Sequence, residues 1–316
     1  MMDCDVMAGQ LRSFHHRDFD AAALVAAKRG RRVSVCLPAR DEEATVGPIV
    51  ARVRCQLVER VPLVDEIVVV DDGSRDRTAT CAADAGARVV PTDTDGGKGG
   101  ALQTAVAAAT GDLLVFCDAD VRDFNPRFVV GLAGPLLLHD DVDFVKGFYE
   151  RNLDRQPRGG GRVTQLVARP LLTLLFPELA GVVQPLAGEF GARRWLLERL
   201  PFVEGYGVDI GLLIDAARTV GVARMAQVDL GVRVHRNRPL AELGPMATVV
   251  LQTALRRARV PVPEAVVLRS PDAGDAVVTY RERPPLAVVP TASPGGTSVP
   301  SEPAPAGTRS TKPTPA

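Results

Sequence analysis

The sequence predicts an α/β fold: a mostly parallel, doubly wound sheet with helices on both faces. Short apolar or β-branched runs at residues 33–37, 66–70, 87–90 and 113–116 each lead through a loop into a helix-prone stretch. Strand, loop and helix therefore repeat at the spacing of a parallel sheet. The runs are continuous rather than alternating, as in strands buried on both faces. Carboxylates, glycines and a lysine gather where these strands end, which is where open α/β sheets bind ligands.

Composition sets the outer limits. A chain of 316 residues can form one large domain or two small ones. Lys+Arg and Asp+Glu are both 38, so no global field draws nucleic acid or a membrane, and any anion site must be local. Lysine occurs only at Lys28, Lys98, Lys146 and Lys312; the other 34 basic residues are arginines. Cys4, Cys36, Cys55, Cys81 and Cys117 are odd in number and show no C-x-x-C spacing, which argues against zinc and fits a reducing compartment. The start has no basic stretch followed by an apolar core, so no signal peptide is expected. The apolar region 166–186 is broken by Arg169, Pro170, Pro177, Glu178 and Pro185, a poor membrane span. A soluble cytoplasmic protein is expected, without nucleic-acid or membrane partners.

The elements follow in order. Residues 1–30 read as an arm and an Ala-rich helix over 19–28, ended by Gly30. Pro38 closes the first strand, since proline cannot donate to a ladder. The acidic residues after it are expected to open a helix running to about Val61. The second strand ends in Asp71-Asp72-Gly73-Ser74, with a helix from about Arg77. The third leads into a loop over 93–100 and a helix over 101–109. Glycines flanking Lys98 let backbone approach a phosphate while the lysine adds a mobile charge; a plain flexible loop is the alternative. This is no Walker A motif, and no G-x-G-x-x-G follows the first strand, which disfavours a nicotinamide cofactor.

The fourth strand runs straight into Asp118-Ala119-Asp120. Residues two apart on a strand leave it on one side, so both carboxylates suit a hard divalent cation bridging to a diphosphate; capping the next helix is the other reading. Beyond a strand at 144–149, Gly159-Gly160-Gly161-Arg162-Val163-Thr164 offers amides, a guanidinium and a hydroxyl to an anion, or serves as a hinge into a long apolar helix. Glu189 and Asp209 each sit among small residues, for close ligand approach or as helix caps. Period-2 alternation over 232–237 puts Arg233, His235 and Asn237 on one face. His is a common metal ligand, and Arg and Asn suit anions or hydroxyls. A last helix spans 246–259. From Pro284 onward nine of 33 residues are proline, too little apolar surface to fold.

Taken in order, Leu37-Pro38-Ala39-Arg40-Asp41-Glu42-Glu43, Asp71-Asp72-Gly73-Ser74, Gly97-Lys98-Gly99 and Asp118-Ala119-Asp120 resemble the strand-end motifs of GT-A-fold glycosyltransferases. Gly161-Arg162-Val163-Thr164, Pro185 to Glu189, Tyr206-Gly207-Val208-Asp209 and Arg233-Val234-His235-Arg236-Asn237 resemble the glucosyl-3-phosphoglycerate synthase family, over roughly residues 12–262. That resemblance implies transfer of glucose from UDP-glucose to the hydroxyl of 3-phosphoglycerate, with retention, a Mg2+ or Mn2+ requirement and a homodimer. Pro38, Ala39, Arg40, Asp41, Glu42 and Asp72 would hold uridine, Lys98 the nucleotide, and Asp118 with Ala119 the ribose. Asp120 and His235 would bind the metal. Gly161, Arg162, Val163, Thr164 and Asn237 would hold phosphoglycerate. Tyr206, Gly207, Val208 and Asp209 would line the glucose, with Arg233 on the nucleotide-sugar side. Lys98, Arg162 and Asp209 would carry the catalysis.

The expected parts are an arm and helix over 1–30, a nucleotide-sugar part over 31–150, an acceptor part over 151–262, an extension over 263–283 and, from composition, a disordered tail over 284–316. The chain departs from the family at Arg40-Asp41, at Ala119 and at Asp209, where the side chain facing the sugar is one methylene shorter. A polyprenyl-phosphate sugar transferase shares the first-half motifs but would carry membrane-binding segments. A non-catalytic nucleotide-binding scaffold is the other alternative, and Lys98, Asp118, Asp120 and His235 speak against it.

Overall fold

A computed structural model describes residues 11–92, 96–153, 156–157, 161–234, 243–270 and 274–287. Its strands are β1 (Arg12–His15), β2 (Val33–Ala39), β3 (Glu66–Asp71), β4 (Arg88–Pro91), β5 (Leu113–Phe116), β6 (Phe144–Leu153), β7 (Gln156–Pro157), β8 (Phe190–Arg193), β9 (Phe202–Val203), β10 (Met225–Val234), β11 (Ala265–Leu268), β12 (Ala276–Thr279) and β13 (Glu282–Arg283). Its helices are α1 (Ala21–Ala27), α2 (Val46–Val53), α3 (Thr78–Asp84), α4 (Gly97–Ala108), α5 (Arg127–Leu138), α6 (Arg169–Leu175), α7 (Arg194–Leu197), α8 (Val208–Val220) and α9 (Leu243–Arg257).

The main sheet runs β1-β10-β6-β8-β5-β2-β3-β4, with β7 beside β6. Neighbours are parallel except where β8 meets β5 and β6 and where β7 meets β6. Because β8 runs against both β5 and β6, those two point the same way. The carboxyl ends of β2, β3, β5, β6 and β10 and the start of β8 therefore share one edge. Strands from 31–150 and from 151–262 alternate in this sheet.

Alternate residues feed two cores. Val33, Val35, Leu37, Ile67 and Val69 pack under α2 and α5, whereas Cys36, Val68 and Val70 pack under α4 and α8. Helix α2 buries Val46, Ile49, Val50 and Val53, the i, i+3, i+4, i+7 stripe of an amphipathic helix. Each such side chain contributes about 1.5–3 kcal/mol on burial. Phe190 stacks on Phe116 at 4.5 Å and on Phe144 at 5.6 Å, sealing the reversed strand between the two parallel blocks.

Several elements differ from the sequence expectation. The acidic residues after β2 open no helix: α2 starts at Val46, and Asp41 and Glu43 instead accept from backbone N–H groups of the next loop. Helix α4 starts at Gly97, so Lys98 stands in its first turn rather than in a loop. The reason is packing: a Cβ on Gly99 would lie 1.9 Å from the Val203 carbonyl oxygen, so only glycine lets helix and β9 meet. The apolar segment after Arg162 is a π-type turn, Thr164–Ala168, followed by the short α6, which ends at Phe176 before Pro177. The N-terminal arm contributes an edge strand, β1, parallel to β10.

The extension after α9 is structured. β11 and β12 form an antiparallel pair and β13 pairs with β9. Arg257 ties it down, donating to Asp215 at 2.9 Å, Tyr280 Oη at 3.1 Å and Glu282 at 2.5 Å. Pro284 and Ala287 also belong to the folded body: Gln103 Nε2 donates to the Pro284 carbonyl at 2.6 Å, and the Ala287 N–H donates to the Glu198 carbonyl at 2.8 Å. The expected disorder thus does not begin at Pro284, and residues 288–316 lie outside the described ones. Among the described residues no helix is long and apolar enough to cross a membrane.

Candidate active site

At the shared edge the side chains of four strands meet around one guanidinium. Arg233, near the end of β10, is 1% exposed. Its Nη1 donates to Asp118 Oδ2 at 3.2 Å, to Tyr149 Oη at 3.1 Å and to Glu189 Oε1; its Nη2 donates to Asp120 Oδ1 at 2.8 Å. Arg233 was expected on the nucleotide-sugar side; its partners within the chain are these carboxylates and Tyr149. A buried charge without partners would cost several kcal/mol, and three carboxylates supply them. The strand reaches this position through a bulge between Asp229 and Val232, with Gly231 at φ 86°. Val232 beside it is solvent-facing, so the predicted alternation holds at these two residues.

Next to this cluster Lys98 Nζ lies 3.1 Å from Asp209 Oδ2 and 3.5 Å from Asp118 Oδ1. Burial works against its charge, but Asp118 and Asp209 outweigh that and hold the ammonium above its ordinary range. Gly188 makes the approach possible, since a Cβ there would fall 2.1 Å from Asp118 Oδ1 and 2.7 Å from Lys98 Nζ. Asp209 sits in the first turn of α8, where the helix dipole favours a carboxylate. Burial raises its pKa, opposed by Lys98 and Lys146. Its Oδ1 is buried without a hydrogen-bond partner.

Two further groups complete the floor. Lys146 on β6 is 2% exposed, its Nζ 5.7 Å from the centre of the Phe190 ring. Burial lowers its pKa to about 8 despite Asp209 nearby. Glu189, at the start of the reversed strand, is pushed up to about 7 by burial, which Arg233 only partly offsets. Neither Lys146 nor Tyr149 stood out in the sequence as a site residue, whereas Glu189 did, as a carboxylate among small residues. The signal for Lys146 was its rarity: it is one of four lysines in an arginine-rich chain.

The lip beyond Pro38 and Ala39 is built by two interlocked loops. The Asp41 N–H donates to Ser74 Oγ at 3.0 Å, and the Arg75 N–H returns to Asp41 Oδ1 at 2.7 Å. Likewise the Glu42 N–H donates to Thr78 Oγ1 at 2.7 Å, the Glu43 N–H to Asp76 Oδ2 at 3.1 Å, and the Arg77 N–H to Glu43 Oε2 at 3.0 Å. Asp41 holds φ 56°, a left-handed conformation that Asp tolerates better than most residues. Asp72 is nearly buried between Thr92 Oγ1 at 3.2 Å and Arg40 Nη1 at 3.6 Å. Pro38, Ala39, Arg40, Asp41, Glu42 and Asp72 are thus brought together, as expected. Ala119 is buried between the two aspartates.

Across the site, Tyr206 lies in a single turn, Gly205–Gly207, that hands over to α8; Tyr206 is partly exposed, whereas Gly207 and Val208 are buried. On the acceptor side, Gly161 at φ 68° leads into Arg162, Val163 and Thr164, with Val163 and Thr164 buried and Arg162 half-buried. His235 and Asn237 lie outside the described residues.

The donor chemistry fits a divalent cation. Among the described residues, four carboxylates (Asp118, Asp120, Glu189, Asp209) stand near three cations (Lys98, Lys146, Arg233). Asp120 is 49% exposed on its side chain, and its pKa is raised by burial and by Asp118, which Arg233 and Lys98 only partly offset. Mg2+ and Mn2+ take one or two such carboxylates plus phosphate oxygens. Among the described residues no group of three or more His, Cys, Asp or Glu side chains could hold a metal. Asp120, with Asp118 beside it, is the described part of such a site.

Comparison with known proteins bears on this arrangement. Residues 34–171 match Glycosyl transferase family 2. The chain is 48% identical over 264 residues to the glucosyl-3-phosphoglycerate synthase of Mycolicibacterium paratuberculosis, covering 79% of each sequence. It is also similar to the crystal structure of the Mycobacterium tuberculosis glucosyl-3-phosphoglycerate synthase in complex with Mn2+, UDP-glucose and phosphoglyceric acid. The TM-score is 0.79 at 45% identity, over 87% of this chain and 98% of that one. Mannosyl-3-phosphoglycerate synthase from Rubrobacter xylanophilus matches with a TM-score of 0.78 at 41% identity, over 87% of this chain and 94% of that one. A relative this similar over four-fifths of both sequences settles the lineage of the fold and its strand-end motifs: the chain belongs to the glucosyl-3-phosphoglycerate synthase family.

Proposed function

We propose that the protein transfers glucose from UDP-glucose to the single free hydroxyl of 3-phosphoglycerate, releasing UDP and forming glucosyl-3-phosphoglycerate. The observation that carries this reading is the meeting of Lys98, Asp118, Asp120 and Asp209 at one strand edge. In the reaction the bond from the anomeric carbon to the UDP oxygen breaks, a bond to the acceptor oxygen forms, and the acceptor's hydroxyl proton leaves. Bound Mg2+ or Mn2+, held by Asp120 with His235, supplies Lewis-acid stabilisation of the departing diphosphate.

The chain's own groups do the rest. Lys98, fixed by Asp209 and Asp118, presents a permanent charge where negative charge grows on UDP. The interlocked lip holds uridine against Pro38, Ala39, Arg40, Asp41, Glu42 and Asp72, and Asp118 faces the ribose. Gly161, Arg162, Val163 and Thr164, with Asn237, hold the acceptor's phosphate and carboxylate so that its hydroxyl faces the anomeric carbon, catalysis by positioning. Tyr206, Gly207, Val208 and Asp209 bound the sugar. Arg233 acts from behind, keeping Asp118 and Asp120 in place. Retention of anomeric configuration follows from the family reading. We further infer a cytoplasmic homodimer, supported by the exposed Leu166 and Leu174 on the segment that follows Arg162.

A transfer assay with labelled UDP-glucose, 3-phosphoglycerate and Mg2+ or Mn2+ tests this. Metal-dependent formation of glucosyl-3-phosphoglycerate is expected. Transfer to a polyprenyl phosphate alone, or UDP binding without turnover, would overturn it. GDP-mannose in place of UDP-glucose tests the donor, where the shorter Asp209 leaves most room for departure.

A further inference from the structure

A cavity of about 490 Å³ opens between the turn His16–Asp18, the Arg54–Arg60 segment and the start of α5, and none of its lining residues belongs to the site above. Phe19 and Leu57 form an apolar side; His16, Arg17, Arg60 and Arg127 form a basic one, and no carboxylate lines it. In a chain of zero net charge this is a concentrated positive surface. None of the four basic side chains is ion-paired among the described residues. The nearby carboxylates are engaged elsewhere: Asp18 accepts from the His15 N–H at 2.7 Å, Asp20 from the Ala23 N–H at 2.9 Å, and Asp229 from the Gly231 N–H at 2.8 Å.

One further feature points to an anion. Arg127 Nε is buried without a hydrogen-bond partner, an orphan donor that native structures seldom leave. The twelve-residue helix α5 also begins at this wall, where the Arg127 N–H donates to Asn125 Oδ1 at 3.0 Å. His16 reports the resulting potential: burial, then His15, Arg127 and Arg17, lower its pKa, and Asp229 does not compensate.

We propose that this cavity is a second ligand site, taking a phosphate monoester whose anionic head meets Arg17, Arg60 and Arg127 and whose ring lies on Phe19 and Leu57. The volume suits a ligand of that size, and arginine forks match phosphate oxygens. Arg127 Nη2 also donates to the Val232 carbonyl at 3.4 Å, which ties this wall to the strand that carries Arg233.

The test is a titration of the full chain with phenyl phosphate, the donor site being saturated with UDP-glucose, which carries no phosphate monoester. The imidazole resonance of His16, identified by its loss in His16→Gln, is followed. A saturable shift is expected, absent with potassium chloride at matched ionic strength. Arg17→Ala/Arg60→Ala should weaken it by about tenfold or more, the loss of charge-assisted hydrogen bonds. Inorganic phosphate, lacking the ring, should bind about fivefold more weakly. Glucosyl transfer by the double variant without phenyl phosphate should equal that of the parent. An equal shift with chloride, unchanged affinity in the variant, or equal binding of phosphate and ester each overturns the proposal. A loss of basal transfer would place the arginines in the known reaction instead, with the same consequence.

Discussion

Lys98 and Lys146 remain lysines in a chain where 34 of 38 basic residues are arginine, and both lie within one buried cluster. A compact ammonium fits beside Asp118 and Gly188 where a planar fork does not. Lys98→Ala should lower kcat by about 10²–10³, the range for removing one preorganised charge at a leaving group; steady-state rates at saturating substrates check it. Gly188→Ala should cost comparable activity with little change in Tm, because the atoms it meets are side-chain ends that can move. Arg162→Ala should raise KM for 3-phosphoglycerate by about 10–100-fold, a lost hydrogen bond to a charged group, with KM for UDP-glucose unchanged. At this scale the sequence exposed the residues with unusual neighbours, Lys98 among glycines and Asp118 with Asp120. It hid Tyr149, whose importance comes only from meeting Arg233.

Elements were legible where periodicity alone decides them and obscure where a neighbour does. β2, β3 and β5 follow from apolar runs. Helix α4 was expected to start near Ala101, because its glycines read as loop until β9 is seen lying against Gly99. Gly99→Ala should therefore cost about 3 kcal/mol or more in unfolding free energy, since backbone must yield; denaturant unfolding measures this. The junction of β2, β3 and α4 also carries a titratable bolt. Burial alone would raise the Glu66 pKa, but hydrogen bonds from Ser34 Oγ, from Thr110 N–H and Oγ1, and from Arg88 prevail and lower it from 4.5 to about 2. A carboxyl with a depressed folded pKa stabilises fully above pH 4.5, and that contribution is lost as pH falls toward 2. Glu66→Gln should thus be less stable at pH 7, yet show a shallower loss of stability between pH 4.5 and 2. An unaltered acid slope would show that Glu66 titrates as it does in the unfolded chain.

For the molecule as a whole, the fold class and the edge that carries the site were readable because repeated strand, loop and helix units make neighbouring strands parallel and bring their carboxyl ends to one edge. The reversed β8 was not, since nothing in residues 190–193 specifies which neighbours it takes. Apolar exposure at Leu166 and Leu174 predicts that Leu174→Glu converts a dimer to a monomer by sedimentation velocity; a parent chain that is already monomeric would refute the dimer. The groups at the site come from far apart in sequence, Arg233 pairing with Asp118 across 115 residues and Lys98 with Asp209 across 111. Closing such loops is slow relative to forming helices and neighbouring parallel strands. After dilution from denaturant, helical signal should return before the capacity to bind UDP, and the interval should track the docking of β8 and β10. A nascent chain released before residue 233 would hold its acidic strand ends without the guanidinium that draws them together.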